Sequence, residues 1–487
     1  MTDTASLPAV SSEVDAAATS KRNTLVITLL LISAFVVILN ETIMGVAIPR
    51  LMEDLRIEAS AAQWLSTAFM LTMAVVIPIT GFLLQRYNTR PVFIAAMTLF
   101  SIGTLIAAIA PGFAILLVGR VVQASGTAIM MPLLFTTVLN LVPPASRGRV
   151  IGNISIVISV APAIGPTISG VILHYLDWRW MFILVLPIAL AALTIGARKM
   201  VNVTEPTTAN IDVLSVILAA FGFGGLVFGL SNFGDPWFGT LPLAVGAIAL
   251  GLFIWRQLLL QRSDAALLDL RTFSSGTFTV SIVTVGVSMI ALFGTIILLP
   301  IYTQTVLGLD ALETGLMLLP GGLLMGLLAP LVGRIYDARG PRLLLIPGAI
   351  IVSGSLWGMT MLDATSPVWA VVTAHVVLSL GLALLFTPLF TAGLASLTPK
   401  LYSHGSAIVG TVQQLAGAAG TALFVTVMTL TALRASGGDL PSAVDTAEGI
   451  RTAFTYGAII SLFAIPAVFF IKRPAEDPNA EWAPAGH

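Results

Sequence analysis

Cysteine is absent from all 487 residues, so disulfides and thiolate metal sites are excluded and the redox compartment stays unread. Charge is scarce. Only 9% of residues are Asp, Glu, Lys or Arg, against about 25% in a soluble domain. The formal net charge is zero, so the chain lacks the basic excess that nucleic acid requires, and no nucleic-acid partner is expected. No G-x-x-x-x-G-K-[ST] loop occurs, and no polar stretch is long enough to fold as a nucleotide-hydrolysing domain. There is no metal-ligand cluster and no nucleophile triad, so the expectation is a non-enzyme without a cofactor. Whatever work the chain does must draw on an ion gradient or on the gradient of its own substrate.

What the sequence does have is apolar length: 57% of residues are hydrophobic and the mean hydropathy is +0.99. Lipid cannot hydrogen-bond a peptide group, so a segment crosses it as a helix of about 20 mostly apolar residues. Fourteen such stretches lie near 24–48, 62–84, 91–110, 113–141, 149–174, 181–200, 212–231, 240–260, 277–301, 315–335, 341–361, 367–392, 404–432 and 450–471. Basic residues near span ends stay on the cytoplasmic side. With the amino terminus inside, 17 Lys and Arg fall on that side, 5 on the other, and Arg120 lies within a span. The opposite orientation would reverse the bias, so both termini are expected in the cytoplasm. Residues 1–20 are polar, Ala/Ser-rich and acidic, unlike a signal peptide, and are expected to form a disordered cytoplasmic tail. Residues 472–487 read as a second cytoplasmic tail.

The chain also repeats itself. A shift of 252 positions lays Leu55, Glu58, Pro78, Gly81 and Arg90 on Leu307, Asp310, Pro330, Gly333 and Arg342. A shift of 255 lays Arg120-Val121-Val122, Gly126 and Ala128 on His375-Val376-Val377, Gly381 and Ala383. This spacing predicts a six-helix half at 21–200, two inserted helices at 201–265 and a second six-helix half at 266–471. Repeated halves place a substrate site between them near the midplane and permit alternating access.

Two charges inside spans carry the chemistry. Glu41 is the only acid well within a span, and at that depth a charge is unfavourable by about 2.5–3.5 kcal/mol on insertion scales. It therefore needs a partner, water or a proton, and a desolvated carboxyl can exchange its proton near neutrality as a carrier must. The plain alternative is a helix-end acid reaching the outer surface, since Pro49 stands only about two turns away. Arg120 is the only base within a span. Its guanidinium cannot shed its proton, so it must be solvated, paired or bonded to carbonyls. His375, at the matching position of the repeat, has the one side chain that titrates near neutral pH unperturbed. Cavity-facing candidates for substrate are Asn40, Gln123, Met130, Asn153, Tyr302, Gln304, His375, Gln413 and Gln414, amides for their donors and acceptors and methionine for its adaptability. Pro162, Gly165, Pro166 and Gly170 promise a bend and close helix contact in the fifth span. On the inner surface Asp337, with Arg334, Arg339 and Arg342, is expected beside the start of the eleventh span, where a helix dipole favours a carboxylate and makes a closable latch.

Five motifs in order resemble a known family. Leu39-Asn40-Glu41-Thr42-Ile43 through Pro49 is similar to a first-helix signature, and Gln63-Trp64-Leu65 opens the second span as that family does. Arg120-Val121-Val122-Gln123-Ala124-Ser125-Gly126 is similar to its fourth-helix motif, and Pro162-Ala163-Ile164-Gly165-Pro166 through Gly170 to its fifth-helix antiporter motif. Asp177-Trp178-Arg179-Trp180-Met181-Phe182 followed by Pro187 matches a further signature. The family is the fourteen-helix drug:proton antiporters of the major facilitator superfamily, the EmrB/QacA type. Asn40-Glu41 and Gln85-Arg86-Tyr87-Asn88-Thr89-Arg90 most resemble its lincomycin-resistance branch. Many relatives carry Asp where Asn40 stands, with the acid one residue later here. Gln85 and Asn88 likewise replace the usual Asp and Gly of the inner-gate loop, while Asp337 and Gly340 keep them in the second half.

The resemblance implies an all-α, fourteen-helix fold arranged 6+2+6. It also implies proton transfer through Arg120, the proton-carrying role of Glu41 being read from its depth in the span, and gating by Arg86, Arg90, Pro162, Gly165, Pro166, Gly170, Asp337 and Arg342. The expected function is a proton-coupled exporter of lipophilic neutral or singly cationic drugs in a bacterial plasma membrane, with the substrate, protons and membrane lipids as partners. Export of an endogenous lipid or metabolite is the alternative. A membrane sensor that transports nothing is the third reading, disfavoured by midplane charges and a symmetric repeat.

Overall fold

The computed structural model of the chain describes residues 9–203 and 211–473. Among the described residues there is no strand, and fourteen helices are long and apolar enough to cross a membrane. They are α1 (Ala9–Leu55), α2 (Ala59–Arg86), α3 (Thr89–Ala108), α4 (Phe113–Leu141), α5 (Arg147–Tyr175), α6 (Trp180–Lys199) and α7 (Val213–Ser231), followed by α8 (Leu241–Leu260), α9 (Gly276–Ile301), α10 (Ala311–Arg339), α11 (Arg342–Met359), α12 (Val368–Ala395), α13 (Tyr402–Ala435) and α14 (Ala443–Leu462). A short turn, Ala464–Val468, follows α14. The chain is a multi-pass membrane protein in which each span satisfies its own peptide groups.

Two ends differ from expectation. Helix α1 starts at Ala9 and takes in residues 9–20 of the stretch expected as a disordered tail. The Ala-rich run there has high helix propensity and continues directly into the first span; residues 1–8 lie outside the described residues. Helix α14 starts before the apolar run because Ser442 and Asp445 close a capping box, satisfying orphan N–H groups at its start. Residues 204–210 and 474–487, including most of the second expected tail, lie outside the described residues.

Pairing within α1–α6 recurs within α9–α14. Helix α1 packs on α5, α2 on α4, and α3 on α4 and α6; in the later set α9 packs on α13, α10 on α12, and α11 on α12 and α14. Contacts between the sets run through α5 with α10 and α12, and through α13 with α2 and α4. Helix α7 lies against both α2 and α13, with Trp64 and Phe228 rings 5.5 Å apart. At the base of α7, Arg256 at the end of α8 donates from Nε and Nη2 to Asp212, at 2.7 and 2.8 Å. Asp212 also caps α7 by accepting from the Ser215 N–H at 3.0 Å. Gln257 beside it donates to Ser215 at 2.8 Å and accepts from the Leu267 N–H at 2.7 Å, tying the connector into α9 back to α8.

Candidate functional site

Arg120 lies seven residues into α4, about 10 Å along the helix axis from its start. It is 1% exposed, so its charge depends entirely on neighbours. Its Nη1 donates to Asn40 Oδ1 of α1 at 3.2 Å and to Gln123 Oε1 at 2.7 Å. The Gln123 pairing is one turn along the same helix, where residues three apart share a face. Phe69 of α2 lies under the guanidinium, with Cζ 4.1 Å from the ring centroid, a cation–π contact in a dry setting. Gln123 in turn donates to Thr104 of α3 at 2.7 Å. Four helices thus converge on one buried charge.

Two donors in this cluster have no hydrogen-bond partner, Arg120 Nε and Asn40 Nδ2. Glu41 is only partly buried and feels the charge of Arg120, yet no ion pair joins them among the described residues. The site therefore has an acid and a permanent cation with a spare N–H. Immediately after Glu41, Thr42 Oγ1 donates to the Leu39 carbonyl at 2.9 Å, and Ser169 of α5 donates to the Ile43 carbonyl at 2.9 Å. A methyl on Gly165 would lie 2.3 Å from Thr42 Oγ1. Gly165 therefore seats α5 on α1 beside the acid.

The expected substrate residues separate into groups. Asn40 and Gln123 hold Arg120, as above. Met130 is fully buried in the apolar core. Tyr302 is buried at the far end of α9, where its hydroxyl donates to the Asp363 carbonyl, and Gln304 beyond it is exposed. His375 Nε2 donates to the Leu318 carbonyl of α10 at 3.2 Å and so pins that helix. Asn153, Gln413 and Gln414 are the partly accessible remainder, and Gln414 reaches across to the Met73 sulfur of α2 at 3.8 Å. A recess of about 470 Å³ opens between α11 and α12, lined by Gly354, Gly358, Trp369 and Thr373 among others, and none of the expected residues lines it. No group of His, Asp and Glu able to hold a metal is found among the described residues.

The gating candidates also divide. Asp337 accepts from the N–H groups of Gly148 and Arg149, both at 2.8 Å. The helix start it caps is that of α5, in the other set, and not the neighbouring start of α11 that sequence proximity suggests. A methyl on Gly333 would lie 2.2 Å from the Gly148 carbonyl oxygen, so α5 and α10 cross backbone to backbone there. Three more bonds join the sets toward this end: Gln85 to the Lys400 carbonyl at 2.9 Å, Thr136 to Ser406 at 3.2 Å and Thr387 to Ser155 at 2.8 Å. The arginines serve otherwise. Arg90 donates to the Ala197 carbonyl at 2.6 Å and Arg342 to the Phe469 carbonyl at 3.2 Å, each within its own set, while Arg86 ends α2. Pro162 lies in α5, Gly170 faces open space, and the side chain of Pro166 lies outside the described residues.

Sequence reasoning missed Thr104, Phe69 and the cross-set roles of Gly148 and Gln85. A lone Thr or Phe in an apolar span carries no local signal. The Asp212–Arg256 pair did carry one, opposite charges at the adjoining ends of two antiparallel neighbours.

Residues 30–421 match the model of the Major Facilitator Superfamily. The lincomycin resistance protein LmrB of Listeria monocytogenes is 41% identical over 453 residues, covering 91% of this chain and 95% of that one. Its namesake in Bacillus subtilis is 38% identical over 462 residues, covering 92% and 95%. Among solved structures, the human organic anion transporter MFSD10 superposes with a TM-score of 0.65 at 15% identity, covering 92% of this chain and 99% of that one, a likeness of fold.

Proposed function

The chain belongs to the major facilitator superfamily, and from that premise we propose that it is a drug exporter of a bacterial cell membrane, exchanging lipophilic neutral or singly cationic compounds for protons. Relatives named for lincomycin resistance, matched over nearly their whole length, support the drug and the bacterial setting. Lincomycin is the first compound to test. The observation that carries the proton is the buried Arg120 beside Glu41, with one N–H unspent.

In this reading α1–α6 and α9–α14 are the two halves, and both termini are cytoplasmic by the excess of basic residues on that side. The structure then corresponds to a state closed at its inner end by Asp337 on the start of α5 and by the Gln85, Thr136 and Thr387 bridges. Glu41, ionised, is drawn to the spare Nε–H of Arg120; protonated, it is neutral and lets go. Substrate that displaces the carboxylate or its proton couples the two fluxes, since each favours a different protonation state of one group. Asn153, Gln413 and Gln414 supply amide contacts to the substrate.

The test is uptake of labelled lincomycin into inverted membrane vesicles under an imposed pH gradient, for wild type and Glu41→Gln at equal expression. Gradient-driven uptake by wild type, lost in Glu41→Gln, is expected. Equal uptake by both would remove Glu41 from the mechanism, and no uptake by folded wild type would point to an endogenous lipid or metabolite instead.

A further inference from the structure

Thr104 of α3 is fully buried, and its hydroxyl has a single proton to give. That proton goes to the Phe100 carbonyl at 2.7 Å. Toward Gln123 the hydroxyl can then act only as an acceptor, so the amide must turn its NH₂ to Thr104 and its oxygen the other way. The oxygen meets Arg120 Nη1 at 2.7 Å. A flipped amide would press donors against a guanidinium that has only donors. The sense of the whole chain, from Arg120 through Gln123 and Thr104 to Phe100, is thus set from both ends, by the guanidinium and by one hydroxyl.

The backbone is built for this contact. A methyl on Gly103 would lie 2.3 Å from the Gln123 nitrogen, so α3 and α4 approach here more closely than any side chain would allow. Only at that separation does the short Thr104 side chain reach the amide at 2.7 Å.

We propose that Thr104 is a positioning residue for the coupling arginine: by anchoring the amide of Gln123 it holds the guanidinium against Asn40, the residue next to Glu41. Without the hydroxyl the Gln123 NH₂ loses its acceptor, the amide is held from the Arg120 side alone, and the guanidinium loses its fixed bearing. The inference rests on the proton-coupling reading above.

The experiment measures lincomycin-driven proton release from proteoliposomes across pH for wild type, Thr104→Val and Thr104→Ser, alongside each protein's melting temperature. Valine keeps the shape and removes the hydroxyl; serine restores it. Thr104→Val is expected to lower the maximal rate roughly tenfold, as loss of one buried hydrogen bond implies, and to displace the pH optimum, with Thr104→Ser returning both toward wild type. A valine variant that melts lower but keeps the wild-type pH profile would overturn the positioning role while leaving coupling intact. Wild type that moves lincomycin without releasing protons would overturn the coupling reading and this inference together.

Discussion

A guanidinium only 1% exposed must find its partners in the protein, and at Arg120 these are neutral amides and a ring, not a carboxylate. That choice leaves Glu41 free to come and go. Lysine at this position would keep the charge but offer a point donor without a planar fork. Arg120→Lys should therefore cut lincomycin transport by more than about tenfold while the protein still reaches the membrane and melts cooperatively; transport near the wild-type rate would show that charge alone suffices. Glu41 and Arg120 were legible in the sequence because a charge within an apolar span is conspicuous by its solvation penalty alone. Thr104, equally part of the network, was not legible, since its role depends on a hydrogen-bond direction relayed through Gln123 from a different helix. Met130 and Tyr302 misled for the converse reason: residue type suggests a cavity, whereas packing decides which face is filled.

Among the elements, α5 and α10 cross with little tolerance. Gly333→Ala would set a methyl 2.2 Å from the Gly148 carbonyl and force the helices apart. Since the Asp337 bonds lie beside this crossing, the variant should leave the inner end ajar, with transport strongly reduced. A single cysteine introduced at Ser155, buried at a cross-set contact in a chain that has no cysteine of its own, should label faster with a membrane-impermeant maleimide in Gly333→Ala than in an otherwise wild-type background; equal rates would contradict the gate. The clamp on α7 has a pH signature. The Arg256 hydrogen bonds, with those of Ser215, hold the Asp212 carboxyl well below the usual carboxylate range. A group whose pKa is depressed on folding adds stability that is complete above its unfolded value, near about 4, and is lost as pH falls through the folded one. Wild type should hence lose melting temperature below about pH 4 more steeply than Asp212→Asn, which starts lower at neutral pH; parallel curves would deny the clamp its role. Helix positions were readable from apolarity, but the start of α14 was set by a capping box and the partner of Asp337 by tertiary contact. Sequence distance hid the latter, because the latch spans 189 positions.

For the molecule as a whole, the helix pairing within α1–α6 recurs within α9–α14, and all but one of the cross-set bonds described above gather at one end. Such an arrangement suits a rocking exchanger, closed at one face and able to open there by breaking a few polar contacts. Helix α7, seated on both α2 and α13, lies across one of the two seams between the sets. The central claim is that drug efflux and proton entry are one process at Glu41 and Arg120. Its most direct test is proton movement in liposomes holding the purified protein, with lincomycin added and no gradient imposed beforehand. The account predicts that the drug drives protons the opposite way in wild type, and that Glu41→Gln moves none. Lincomycin transport by wild type with the internal pH unchanged would contradict it.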